Sequence, residues 1–103
     1  MREFTLEAEN EVSKTFKSDD IFIYVGKAVD EDEDKHFLVF SIPKIPHLNV
    51  ERIQYPFDFD TIGARDIAFN ELGVLQVANF FINLENQIKF NIEKAKEDEA
   101  AKN

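Results

Sequence analysis

Apolar and polar residues alternate over much of the first sixty positions with the period of a strand. Phe4, Leu6 and Ala8 alternate with Glu3, Thr5, Glu7 and Glu9. Successive strand side chains point to opposite faces, so this predicts a half-buried strand. Residues 10–18 hold only Val12 and Phe16 as apolar anchors, and a spacing of four suits a helical turn or a twisted strand. From Asp20 to Val29 the chain is apolar on both faces at its start, Ile21-Phe22-Ile23-Tyr24-Val25, which places this strand at the centre of the sheet. His36 to Ile42 forms a further strand that Pro43 is expected to stop. Between these two strands runs Asp30-Glu31-Asp32-Glu33-Asp34, a water-seeking connection that reads as the turn of a β-hairpin.

Pro43 and Pro46 bracket Ile45 in a stiff, extended segment, since a residue before proline is pushed out of the helical region. Beyond it, Ile53, Tyr55, Phe57 and Phe59 alternate strictly with Arg52, Gln54, Asp58 and Asp60. This is the cleanest strand in the chain, and Pro56, lacking a donor, places it at an edge or points its missing N–H outwards.

At Asp60-Thr61 the period changes. Either residue can cap a helix, and Ile62, Arg65, Phe69 and Leu72 then recur at three and four, with Gly73 as the expected stop. Over 74–92 two patterns compete. A helix aligns Val74, Val77, Phe81, Leu84, Ile88 and Ala95 in one stripe, with Phe80 and Ile92 beside it and with Phe90 and Glu85 as misfits. A hairpin alternates Phe80, Ile82 and Leu84, turns at Glu85-Asn86, and alternates again at Ile88, Phe90 and Ile92. Glu-Asn is a poor hairpin turn, and neither Gly nor Pro interrupts residues 74–103, so the helix is favoured. The expected architecture is one α+β domain over residues 1–97. An antiparallel sheet of about four strands (3–60) packs on one or two C-terminal helices (61–72 and 74–97), and residues 98–103 form a frayed charged tail.

Composition narrows the function. A chain of 103 residues with 44% hydrophobic positions and 11 phenylalanines holds a core without staples. With no cysteine, disulfides, thiol catalysis and thiolate metal sites are excluded. The start of the chain is charged and alternating, unlike a signal peptide, and no apolar run approaches the ~20 residues of a membrane span. The expectation is a cytoplasmic protein without a membrane partner. Its lysine-rich, isoleucine- and asparagine-rich composition suggests a bacterial or phage source.

A net charge of −9 opposes direct binding of nucleic acid. Fourteen of the 21 acidic residues fall in the first sixty positions, against seven basic ones. Phe22, Tyr24, Phe37 and Phe40 lie on paired strands, but a stacking platform for single strands needs a basic groove, and only Lys27, Lys35 and Lys44 are near.

The motifs that carry chemistry are missing or incomplete. Asp30-x-Asp32-x-Asp34 opens like a calcium loop, but Lys35 and Ser41 stand where glycine and a bidentate glutamate are needed. His36 and His47 have no cysteine to complete a zinc set and no nucleophile to serve. Gly26, Gly63 and Gly73 are isolated, so there is no phosphate-binding loop. Neither a catalytic residue nor a metal or cofactor site is expected.

The aromatic surplus is the remaining lead. Thirteen Phe and Tyr exceed what one small core face hides, which points to a non-enzymatic interaction or assembly protein. Self-association through an apolar patch is expected, with Ile53, Tyr55, Phe57, Phe59, Phe80 and Phe81 as partner-binding candidates. The alternative is an acidic inhibitor that mimics nucleic-acid charge. Glu31, Asp32, Glu33 and Asp34, with Asp19, Asp20, Asp58 and Asp60, would face a basic partner.

Overall fold

A computed structural model describes residues 2–101. Five strands follow one another in an antiparallel meander: β1 (Thr5–Glu9), β2 (Ser13–Ser18), β3 (Ile21–Asp30), β4 (Lys35–Ile45) and β5 (Val50–Phe59). A 3-10 turn, Pro46–Leu48, joins the last two, and helices α1 (Ile62–Glu71) and α2 (Val74–Ala101) complete the α+β fold.

The sheet has five strands rather than about four because residues 13–18 are extended. The alternation there is hidden by polar side chains on the inner face. Lys14, Phe16 and Ser18 are all buried, opposite Val25, Ile23 and Ile21. Asn10 turns the chain between β1 and β2, its Oδ1 accepting from the Val12 and Ser13 amides at 2.9 Å each.

Pro43 does not end β4, which continues to Ile45. Pairing with β3 stops at Ser41, and the ladder to β5 passes from Ile42–Ile53 to Lys44–Glu51 without using Pro43. The missing donor therefore breaks no ladder bond. Arg52, opposite that gap, takes a φ of 57°.

Both helices pack on one face of the sheet. The core there joins Phe16, Ile21, Ile23, Val25, Leu38, Phe40, Ile42 and Ile45 to Phe69 of α1 and to Val77, Ala78 and Phe81 of α2. Thr61 caps α1, its hydroxyl accepting from the Ala64 amide at 3.0 Å. Gly73 is not the left-handed stop expected of it, since no glycine has a positive φ. Instead Leu72 ends α1 in extended geometry, the helix axes turn by 98°, and the Gly73 carbonyl opens α2 by accepting from Val77 at 3.2 Å. A side chain at Gly73 would press on Gln76 Oε1, 3.1 Å from where its Cβ would lie.

The helical pattern over 74–92 is the one adopted, with Phe90 on the exposed side at 61% accessibility. At 28 residues α2 is about 42 Å long and outruns the sheet. Its side chains are exposed from Lys89 through Glu99. Residues 98–101, expected to fray, are helical, and Lys102 and Asn103 lie outside the described residues. No single helix among the described residues is long and apolar enough to cross a membrane.

Candidate functional site

The strand register sorts the aromatic residues onto two faces. Facing the helices is the row Lys14–Val25–Phe40–Tyr55. Facing away are Thr15–Tyr24–Ser41–Gln54, then Ser13–Gly26–Val39–Pro56, then Ala28–Phe37–Asp58. No helix lies over this second face, and Phe22, Tyr24, Phe37 and Val39 are not among the hydrophobic side chains packed against the core.

Phe22 and Tyr24 stack on each other at 6.3 Å and keep 36% and 42% of their surface. Lys17 Nζ hangs 5.4 Å from the Phe22 ring centroid. Beside Tyr24, the absent side chain of Gly26 leaves a shallow hollow of about 240 Å³ lined by Ser13, Thr15, Ala28, Val39 and Ser41. The alternation of β3, apolar to both sides, was the signal in the sequence that marked this face.

The expected partner-binding residues divide. Ile53, Tyr55, Phe57 and Phe59 share the helix-facing side of β5. Ile53 and Phe59 are half-buried against the core, while Tyr55 and Phe57 remain open at the rim. Phe80 of α2 gathers them: its ring lies 4.5 Å from Phe40, 5.8 Å from Tyr55 and 5.9 Å from Phe57. Phe81 points elsewhere. It is 1% exposed and meets Phe4 edge-on at 5.6 Å, so it is a core residue and offers nothing to a partner. On a helix, adjacent residues diverge by about 100°, and the sequence pattern alone had placed both on the patch.

The acidic residues also divide. Glu31, Asp32, Glu33 and Asp34 form the exposed β3–β4 turn, organised by Asp30 Oδ1 accepting from the Asp32 and Glu33 amides at 3.1 and 3.3 Å. Asp58 joins them: the Lys35 ammonium is held above its ordinary pKa by the hydrogen bond it donates to Glu33 and by the charges of Glu33, Asp58 and Asp30. Asp60 follows at the same end. Asp19 and Asp20 form the β2–β3 turn at the opposite end of the strands.

Each histidine lies beside a single carboxylate. His36 lies 3.8 Å from Asp34, and its Nδ1 is buried without a partner. His47 bonds Glu85 of α2, fastening the 3-10 turn to the helix. Among the described residues no three His, Asp or Glu side chains converge to hold a metal ion. No family model, no curated protein and no solved structure matches this chain.

Proposed function

We propose that this chain is a non-enzymatic interaction protein that self-associates through an aromatic-rich apolar surface. One observation carries the reading: a strand apolar on both faces has only one face covered by its own chain. Ile21, Ile23 and Val25 are fully buried beneath the helices, while Phe22 and Tyr24, between them in sequence, face water. A sheet buries an apolar face against a second layer, and this domain supplies a layer on one side only. The rim formed by Tyr55, Phe57 and Phe80 adds apolar surface at the β5 edge.

The charge-mimic alternative has weaker support. The carboxylates it enlists sit at two ends of the sheet and make no single face. The role of a bacterial or phage assembly factor agrees with a small domain that offers surfaces rather than a reaction centre.

Light scattering of the native protein at low and at high salt tests the reading. Apolar self-association predicts a defined oligomer whose mass is unchanged as salt rises, because burial of apolar surface is not screened. A monomer at both salt concentrations refutes it.

A further inference from the structure

The uncovered sheet face is complementary to itself. We infer that a second copy of this chain covers it, the two sheets packing face to face about a two-fold axis that runs across the strands at the row Lys14–Val25–Phe40–Tyr55. The inference rests on the self-association reading and gives it a geometry.

The register sets what such an axis superimposes. It lies in the plane between the sheets, so each residue meets the one equally far beyond the central row on the same strand of the second copy. On β3, Tyr24 falls on Gly26 and Phe22 on Ala28; on β4, Phe37 falls on Pro43. Each large ring of the face therefore meets a small or flat residue, the alternation that lets facing layers interdigitate. Tyr24 in particular enters the hollow that the missing Gly26 side chain leaves.

Charge selects the same axis. One end of the face carries Lys17 beside Phe22, and Arg52 in a hollow with Ser41, Pro43 and Gln54, two cations that offset Asp19 and Asp20 of the β2–β3 turn there. The other end carries Asp58 and the acidic β3–β4 turn. An axis along the strands would stack like ends on each other. The axis across them places Arg52 over Asp58 on β5, a pair formed twice by symmetry.

The area suffices. Strands β3, β4 and β5 run to both sides of the axis; about 4.8 Å apart, with some nine residues each at about 3.3 Å, they present roughly 400 Å² in projection. Side-chain relief brings the accessible area close to the roughly 600–800 Å² that each partner gives to a specific interface.

Sedimentation equilibrium of the intact chain and four variants tests the geometry. A Cβ at Gly26 would meet only the Val12 carbonyl at 4.0 Å, an ordinary contact, and β-branched residues suit strands. Gly26→Val therefore folds as a monomer but fills the hollow that receives Tyr24. Its dimer dissociation constant is expected to rise by at least about tenfold. Arg52→Asp and Asp58→Arg are each expected to weaken the dimer by about tenfold, and the double reversal to restore it to within about threefold of the original. Asp is well tolerated at the positive φ of Arg52.

A dimer indifferent to Gly26→Val and to both reversals overturns this geometry while leaving self-association through the β5 rim. Weakening by each reversal without recovery in the double variant also overturns the pairing. An original chain that stays monomeric overturns the geometry and the self-association reading together, and assigns the face to a different protein.

Discussion

The ammonium of Lys14 donates to the carbonyl oxygen of Phe69 across 2.7 Å, tying β2 to the last turn of α1 over 55 residues of chain. The same Nζ donates to Leu72 at 3.0 Å and lies 4.9 Å from the Phe69 ring centroid. The carbonyls at a helix C-terminus lack partners within the helix and carry partial negative charge. A cation buried beneath them satisfies both needs. Lys14→Met keeps the apolar stem but leaves these carbonyls without the donor, and is expected to cost about 2 kcal/mol, read from the urea midpoint. An unchanged midpoint would remove Lys14 from the cap.

The contrast between Phe81 of α2 and Tyr55 of β5 provides a second check. Phe81 fills the core against Phe4 at 5.6 Å, so Phe81→Ala opens a cavity and is expected to cost about 3–5 kcal/mol. Tyr55 at the β5 rim is 46% exposed, and Tyr55→Ala is expected to cost about 1 kcal/mol. Paired urea titrations that reversed this order would contradict the division between core and rim.

At the start of α1 the sequence offers two caps, and the structure uses one. The Thr61 hydroxyl holds the Ala64 amide, so Thr61→Ala is expected to lose about 1 kcal/mol, and Thr61→Ser much less. Asp60→Ala, which removes no capping bond, is expected to stay within about 0.5 kcal/mol. Thermal unfolding of the three variants separates the roles.

Much of this architecture is legible from period alone. The β3–β4 hairpin, the edge strand β5 and the break at Thr61 all follow from alternation, turn chemistry and capping residues. β2 escaped because Lys14 and Ser18 occupy inward positions that a pattern reader assigns to water, and their burial depends on α1 arriving from a distant part of the chain. Pro43 misled for a related reason: whether a proline breaks a ladder depends on where the neighbouring strand ends. The open face was half legible. Phe22 and Tyr24 announce a two-sided strand, but only tertiary structure shows that both helices settle on the other side. Hydrophobic pattern ranks the residues of α2 by periodicity, and that did not distinguish Phe80 at the rim from Phe81 in the core.

Acid should weaken the α1 anchor through Asp66. Its pKa is held below the ordinary 3.8, chiefly by the hydrogen bond from Lys27, with Arg65 adding a second and partial burial opposing both. Lys27 Nζ and Arg65 Nη2 each lie 3.2 Å from Asp66 Oδ1. A carboxylate whose folded pKa is depressed contributes stability above its unfolded value and loses it as pH falls through the folded one. Asp66→Asn is therefore expected to be less stable than the original chain at about pH 6, with the difference closing towards about pH 2. Urea midpoints for both chains across that range give the result, and a difference that persisted in acid would assign the loss to packing instead of charge.

The far end of α2 should be dispensable to the fold. Val77 and Phe81 are buried and Leu84 and Ile88 pack partly buried against the core, whereas every side chain from Lys89 to Glu99 is exposed. Helical stability there depends on local pairs alone. Lys89 with Glu93 and Lys94 with Asp98 are favourable at a spacing of four, whereas Glu93 with Glu97 opposes them. A chain stopped after Ile92 is expected to unfold within about 0.5 kcal/mol of the original. A chain stopped after Leu84 loses Ile88 from the core and the Glu85 bond to His47, and is expected to lose more than about 2 kcal/mol. Hydrogen exchange on the intact chain checks the same boundary: amides after Lys89 should exchange with little protection, those from Val77 to Leu84 near the global limit. Strong protection beyond Ile92 in a monomer would mean that the overhang packs on something in its own chain.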